Sequence, residues 1–175
     1  AGLSFEQAAV VAVSGLAALQ GLRAGRIAAG QKVLIIGASG GVGTYAVQLA
    51  KAFGATVTGV ASTAKAGLVR SIGADQVIDY TREDFAQAGQ RYDVMIDAVG
   101  SRSLSDCRRA LTPRGTYVLV GVLNLGRWFG LARQLKVLSL SPFVRQKMRV
   151  FLVRHNREDL IALKHACGVV PSPLF

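Results

Sequence analysis

From residue 32 onward, short apolar runs alternate with longer stretches in which apolar positions recur every three or four residues. A buried strand needs only a short β-branched run, whereas a helix shows the longer period. The runs Lys32–Ile36, Thr56–Ala61, Gln76–Asp79, Asp93–Asp97, Thr116–Gly121 and Gln146–Val153 are predicted as strands. Between them, helices are expected over Gly41–Phe53, with Val42, Ala46, Leu49 and Ala50 on one face, and over Lys65–Ile72, closed by Gly73. A helical turn is expected around Glu83–Ala88, and a helix over Ser103–Leu111, stopped by Pro113 and Gly115. Arg127–Leu140 reads as irregular helix, and Arg157–Ala166 as a last helix capped by Asn156. Ahead of all these, Ser4–Ala24 reads as helical, with Ser4 and Gln7 as a capping box. Gly15 interrupts that helix, and Gly25 and Gly30 end it.

Strands alternating with helices imply a parallel sheet with right-handed crossovers and helices on both faces. Six such strands predict an α/β Rossmann fold, doubly wound in the order 3-2-1-4-5-6. The expected organisation is a connecting helix region over 1–30, a Rossmann domain over 31–168 and an irregular tail over 169–175.

Composition adds two facts. The chain is 51% hydrophobic, yet no apolar run approaches the roughly 20 residues of a membrane span. Cys107 and Cys167 read as reduced core residues, and no secretory leader pattern opens the chain, so a cytoplasmic protein is expected. The formal charge is +11, which suits an anionic partner. No acid occurs between Gln7 and Ala74, whereas Arg127–Lys164 holds nine Lys or Arg against Glu158 and Asp159.

The candidate chemistry lies inside the acid-free stretch. Gly37-Ala38-Ser39-Gly40-Gly41-Val42-Gly43 follows the first strand and opens a helix. In that context a side chain at Gly40 would block a pyrophosphate, and Gly43 lets helix and strand pack closely. The free amides and the helix dipole then attract phosphate. A P-loop is excluded because Thr44, not lysine, follows Gly43. A catalytic Tyr with Lys four residues on is excluded too, since Tyr45, Tyr80, Tyr92 and Tyr117 are followed there by Leu49, Asp84, Ile96 and Gly121.

An NAD-preferring site places an acid at the end of the second strand to hold ribose hydroxyls. Here that position holds Ala61, Ser62 and Thr63, with Lys65 close behind. Hydroxyls and an ammonium suit a 2′-phosphate, so NADPH is expected over NADH. Lys65 could equally be an exposed first-turn residue. Tyr80 could flank the adenine, touch the phosphate or cap the core.

The stretch from Gly30 through Gly37-Ala-Ser-Gly-Gly-Val-Gly43 to Thr44 resembles the medium-chain dehydrogenase/reductase superfamily, in particular its zinc-independent quinone oxidoreductase-like branch. Val47–Ala55, Ser71–Asp75, Val77–Tyr80, Tyr92–Gly100 and Leu111–Gly121 are similar to the same family. The resemblance implies an NADPH-dependent oxidoreductase that reduces an electron-poor alkene, quinone or carbonyl by hydride transfer. By it, Ala38, Ser39, Gly40, Gly41, Val42 and Gly43 hold the pyrophosphate, and Ser62, Lys65 and Tyr80 the 2′-phosphate end. Val99 and the Gly121-Val122 turn border the ribose and nicotinamide. It also implies a homodimer paired through the edge strand 146–153.

The family places a GroES-like catalytic domain before this region, and these residues hold no segment for it or for its zinc ligands. The expectation is therefore a cofactor module with little or no turnover alone, whose substrate engages through a domain missing from this chain. No catalytic residue is assigned. His155 and His165 have no Cys or His partner at ligand spacing, so no metal is expected. Two rivals use the basic 127–164 surface: a dinucleotide-responsive regulatory module, and membrane attachment through Trp128, Phe129 and Leu131. Packing of that amphipathic stretch on a core is preferred over a membrane surface, and nucleic acid is set aside for want of an aromatic or helix-turn-helix pattern.

Overall fold

The computed structural model describes residues 11–120, 146–151, 153–154 and 156–169. The readings placed on Ser4, on the Gly121-Val122 turn, on Arg127–Leu140, on His155 and on 170–175 of the tail lie outside the described residues, whereas Val169, expected in the tail, ends the last helix. The side chains of His165 and Cys167 lie outside them too.

Six strands form one parallel sheet: β1 (Lys32–Ile36), β2 (Thr56–Ala61), β3 (Gln76–Asp79), β4 (Tyr92–Asp97), β5 (Leu111–Val120) and β6 (Lys147–Phe151). Their order is β3-β2-β1-β4-β5-β6, the doubly wound arrangement the alternation predicts. The helices are α1 (Leu16–Gly25), α2 (Gly41–Ala52), α3 (Ala66–Ser71), α4 (Leu104–Arg109) and α5 (Arg157–Val169).

Each central strand is apolar on both faces because both faces are covered. Val33 and Ile35 of β1 join a core with α1, α2 and Leu163 of α5, whereas Leu34 and Ile36 face Met95, Phe85 and Cys107 on the other side. The reversal of strand order between β1 and β4 opens a crevice at their carboxyl ends.

Several local expectations change. A π-helical turn over Val11–Gly15 leads into α1, so Gly15 marks a change of pitch and not a break. Gly25 does not end α1 by its flexibility. It lies inside the last turn, where a Cβ would come within 2.8 Å of Val94 Cγ1, and Arg26 makes the left-handed exit at φ 54. The 83–88 stretch is a series of turns, with the Asp84 carboxylate accepting from the Ala86 amide and Phe85 anchored in the core. β5 starts at Leu111, earlier than expected. Its register against β4 jumps from Tyr92–Leu111 to Val94–Thr116, which accommodates Pro113 and Gly115 in an irregularity.

Helix α5 is fastened to α1 by a nearly buried carboxylate. Asp159 accepts from Gln20 Nε2 and Asn156 Nδ2, each at 2.7 Å, and pairs with Arg23. Its amide donates to Asn156 Oδ1 at 2.7 Å, which makes Asn156 the N-cap. Burial raises the Asp159 pKa, but the bonds from Asn156, Gln20 and Arg23 outweigh it and hold the group below the ordinary carboxylate value. Its contribution is therefore complete above the unfolded-chain value and lost as pH falls through the folded one. Replacing Asp159 by Ala should cost about 2 kcal/mol in urea unfolding at neutral pH, with variant and wild-type stabilities converging as pH drops below the carboxylate range. A cost that stayed constant into acid would refute the assignment.

Candidate functional site

The cleft at the carboxyl ends of β1 and β4 encloses about 740 Å³. One wall is the glycine-rich turn: Gly37, Ser39, Gly40, Gly41, Val42 and Gly43. The others come from Val60 and Ala61 of β2, from Tyr80 and Phe85 after β3, and from Ala98, Val99, Ser101 and Arg102 after β4.

The turn's shape follows from two glycines. Gly37 leaves β1 at φ 81, a left-handed conformation that an L side chain resists, and a Cβ there would stand 2.5 Å from Val99 Cγ2. Gly43 sits so close to the turn that a Cβ would overlap the Gly37 carbonyl oxygen and come within 2.8 Å of Ala38 Cα. The first intrahelical bond of α2 runs from the Thr44 amide to the Gly40 carbonyl at 2.9 Å. The amides of Gly41, Val42 and Gly43 precede it and have no intrahelical acceptor. They lie on the cleft wall at the positive end of the helix dipole, an arrangement that fits phosphate.

Gly40 is of a different kind. Its backbone is extended, it is exposed, and a Cβ would meet only the Gly37 carbonyl oxygen, at 3.3 Å. The glycine at 43 serves the fold, whereas the one at 40 leaves space in the cleft.

Opposite the turn, Asp97 closes β4. It is fully buried, and its Oδ1 accepts from the amides of Val99 at 3.0 Å and Gly100 at 2.7 Å. Tyr117 Oη donates to its Oδ2 at 2.7 Å. This carboxylate fixes the loop that carries Val99 and Arg102 into the cleft. The sequence reading missed it, although an acid ending an otherwise apolar strand was the available signal.

The structure separates the candidate residues into two groups. Ser39, Gly40, Gly41, Val42, Gly43, Tyr80 and Val99 line one cleft, with Tyr80 and Val99 58% and 60% exposed. Ala38 stands behind the turn, fully buried, and its amide already donates to the Val60 carbonyl at 3.1 Å. Ser62, Thr63 and Lys65 lie beyond Ala61 on the loop after β2, outside the lining. Thr63 spends its hydroxyl on Asp79, which also accepts from the Thr81 amide at 3.0 Å and hydroxyl at 2.7 Å. A carboxylate at the end of β3 thus stands beside the end of β2, which has none of its own. Bonds from Thr63 and Thr81 hold the Asp79 carboxyl below its ordinary value, with burial opposing them. Gly121 and Val122 lie outside the described residues. Phe85, Ser101 and Arg102 were not anticipated, because the turns that bring them to the cleft have no periodic signal.

Among the described residues, no three His, Cys, Asp or Glu converge to hold a metal ion, and none of their helices is long and apolar enough to cross a membrane.

A family model for zinc-binding dehydrogenases matches residues 41–162. The chain is 43% identical over 100 residues to the NADPH-dependent alkenal/one oxidoreductase, chloroplastic, of Arabidopsis thaliana, covering 56% of this chain and 26% of that protein. It is 38% identical over 128 residues to a quinone oxidoreductase of Pseudomonas aeruginosa, covering 69% of this chain and 39% of the relative. The solved quinone oxidoreductase of Coxiella burnetii superposes with a TM-score of 0.78 at 34% identity, over 95% of this chain and 50% of that one. The chain therefore spans about half the length of that solved structure and a smaller share of both curated relatives. A zinc site needs three or four converging ligands, and the described residues do not supply that set.

The two glycines should separate in a stability test. Gly43→Ala is expected to cost about 3 kcal/mol or more in thermal or urea unfolding, because backbone must move to admit the methyl group. Gly40→Ala should cost roughly 1 kcal/mol, the preference of an N-cap position for glycine over alanine. Equal costs would contradict the packing described for α2.

Proposed function

Since the chain belongs to the zinc-binding dehydrogenase family, in the quinone oxidoreductase-like branch of the medium-chain dehydrogenases/reductases, we propose that it forms the cofactor-holding part of an NADPH-dependent oxidoreductase. The observation that carries this reading is the row of amides at Gly41, Val42 and Gly43, facing a cleft at the sheet's switch point. The pyrophosphate bonds to those amides, and Gly40 leaves room for its approach. The apolar wall from Val60 to Val99 covers the sugar and ring portions. Asp97 holds the Val99–Gly100 backbone still, so the ligand meets a preformed surface.

When bound, the nicotinamide supplies the hydride chemistry, and the protein's part is binding and orientation. The substrate is an electron-poor alkene, quinone or carbonyl, in keeping with the names of the Arabidopsis and Pseudomonas relatives. No catalytic side chain is assigned among these residues, and little or no turnover is proposed for them alone. The free edge of β6, unpaired among the described residues, is where a second copy would extend the sheet. Cytoplasmic residence is proposed with it, from Cys107, which is buried without a disulfide and packs as a small apolar core residue.

The preference for NADPH rests on Lys65, exposed at the end of the turn Thr63–Lys65, whose amide donates to the Ser62 carbonyl, and on Tyr80, whose amide donates to the Ala61 carbonyl just before it. Asp79 opposes it, and its charge is spread over Thr63, Thr81 and Arg82, the last at 3.7 Å.

Calorimetric titration should show tighter binding of NADPH than of NADH. Gly40→Val should weaken both ligands by roughly tenfold or more, the loss of about one phosphate hydrogen bond. Lys65→Ala should lower NADPH affinity alone, by roughly tenfold. A preference for NADH would remove the role given to Ser62 and Lys65 and leave the fold intact. Brisk quinone reduction by these residues alone would show that the catalytic machinery lies within them.

A further inference from the structure

The end of the sheet opposite the cleft carries a row of cations that neither the core nor the dinucleotide reading uses. Lys32 opens β1, Arg91 directly precedes β4, Arg114 lies in the irregular start of β5, and Lys147 opens β6. All four are exposed, and their strands are neighbours in the sheet. With adjacent strands about 4.8 Å apart, the row spans roughly 14 Å. Val33 pairs with Val94, Val94 with Thr116 and Thr116 with Lys147, so the cations stand within a few residues of one level.

Helix ends account for the cations nearby, but not for these. Lys51, Arg70, Arg108 and Arg109 occupy last turns, where a cation meets the negative end of a helix dipole. A strand start offers no comparable field. The carboxylates at this end are already taken. Asp93 accepts from the Lys32 amide at 3.0 Å, Asp75 pairs with Lys51, and Asp106 pairs with Arg109. Arg91 is held in place, its Nη1 donating to the carbonyls of Arg109 and Leu111. Arg114 and Lys147 make no ion pair among the described residues. Like charges gathered this closely repel one another, and an anionic surface laid against them relieves the repulsion.

We propose that this end of the sheet is a docking surface for an anionic lipid bilayer. The inference goes beyond the cofactor reading and does not depend on it. The row contains no aromatic ring on which a base could stack. It is built from strand starts, not from a helix that could enter a groove. Phosphate headgroups in a plane ask only for cations held near one level. Attachment is by charge, without insertion, and it leaves the cleft at the other end of the strands open to its ligands.

Sedimentation with vesicles of phosphatidylserine and phosphatidylcholine in equal parts tests this, against vesicles of phosphatidylcholine alone. The wild-type chain should bind the mixed vesicles only, and less tightly as added salt screens the charges. The double variant Arg114→Gln/Lys147→Gln should bind them roughly twentyfold more weakly, about fivefold for each cation removed. The pair Arg154→Gln/Arg157→Gln, exposed beyond the other end of β6, removes the same charge and should bind as the wild type does. Melting temperatures should stay within about 2 °C of wild type, as for other surface substitutions. Should the first double variant fold poorly, Lys32→Gln reads the same row, with a loss of about fivefold. No wild-type binding to the mixed vesicles, or unchanged binding in Arg114→Gln/Lys147→Gln, would overturn the proposal. Equal losses in the two pairs would overturn it too, because net charge and not this face would then be responsible. Tighter wild-type binding to a short DNA strand than to the vesicles, lost in the same variant, would overturn it in favour of nucleic acid.

Discussion

The contact on which the site depends is the pressing of the first turn of α2 against the backbone that leaves β1. With hydrogen alone at Gly43, the helix comes down onto the Gly37 carbonyl and the Ala38 Cα. That fixes where the helix begins, and so where its unbonded amides point. A helix start leaves such donors in every protein. Here they open onto a cleft because β1 has β2 on one side and β4 on the other, and the chain of β4 turns away at Asp97. The packing that seats the helix also shapes the cleft wall at this point.

The opposite wall is built with similar economy of parts. Asp97 is a buried carboxylate in a sheet otherwise apolar at that level, and it is occupied by two backbone amides and a tyrosine hydroxyl. A buried charge is tolerated when donors surround it. Its effect is to give a glycine-containing loop one conformation. The side chains that loop carries, Val99 and Arg102, then face the glycine-rich turn across the cleft. On the β2 side, the hydroxyls of Thr63 and Thr81 surround Asp79 in the same manner. The acid-free sequence from Gln7 to Ala74 therefore does not make an acid-free surface, because β3 brings its own carboxylate alongside.

Strands β1, β2 and β3 were legible in the sequence to the residue, since each is a β-branched run closed by glycine or a turn residue. The strand order followed from the alternation, and the glycine-rich turn from its place between a strand and a helix. What escaped depended on neighbours distant in sequence. Gly25 looked like a terminator because its packing partner Val94 is nearly seventy positions on. Pro113 and Gly115 read as the stop of the preceding helix, and only the shifted register against β4 admits them into β5. Thr63 looked available to a ligand until the fold placed Asp79 beside it. Phe85 and Arg102 sit in turns without period, and the cleft itself is what relates them.

The most direct test of the central claim is a nitrogen–proton correlation spectrum of the labelled chain during addition of NADPH. The account predicts the largest shifts at the Gly41, Val42 and Gly43 amides, with the Ala38 amide, already bonded to Val60, moving far less. Saturable binding that left those three resonances in place would contradict it.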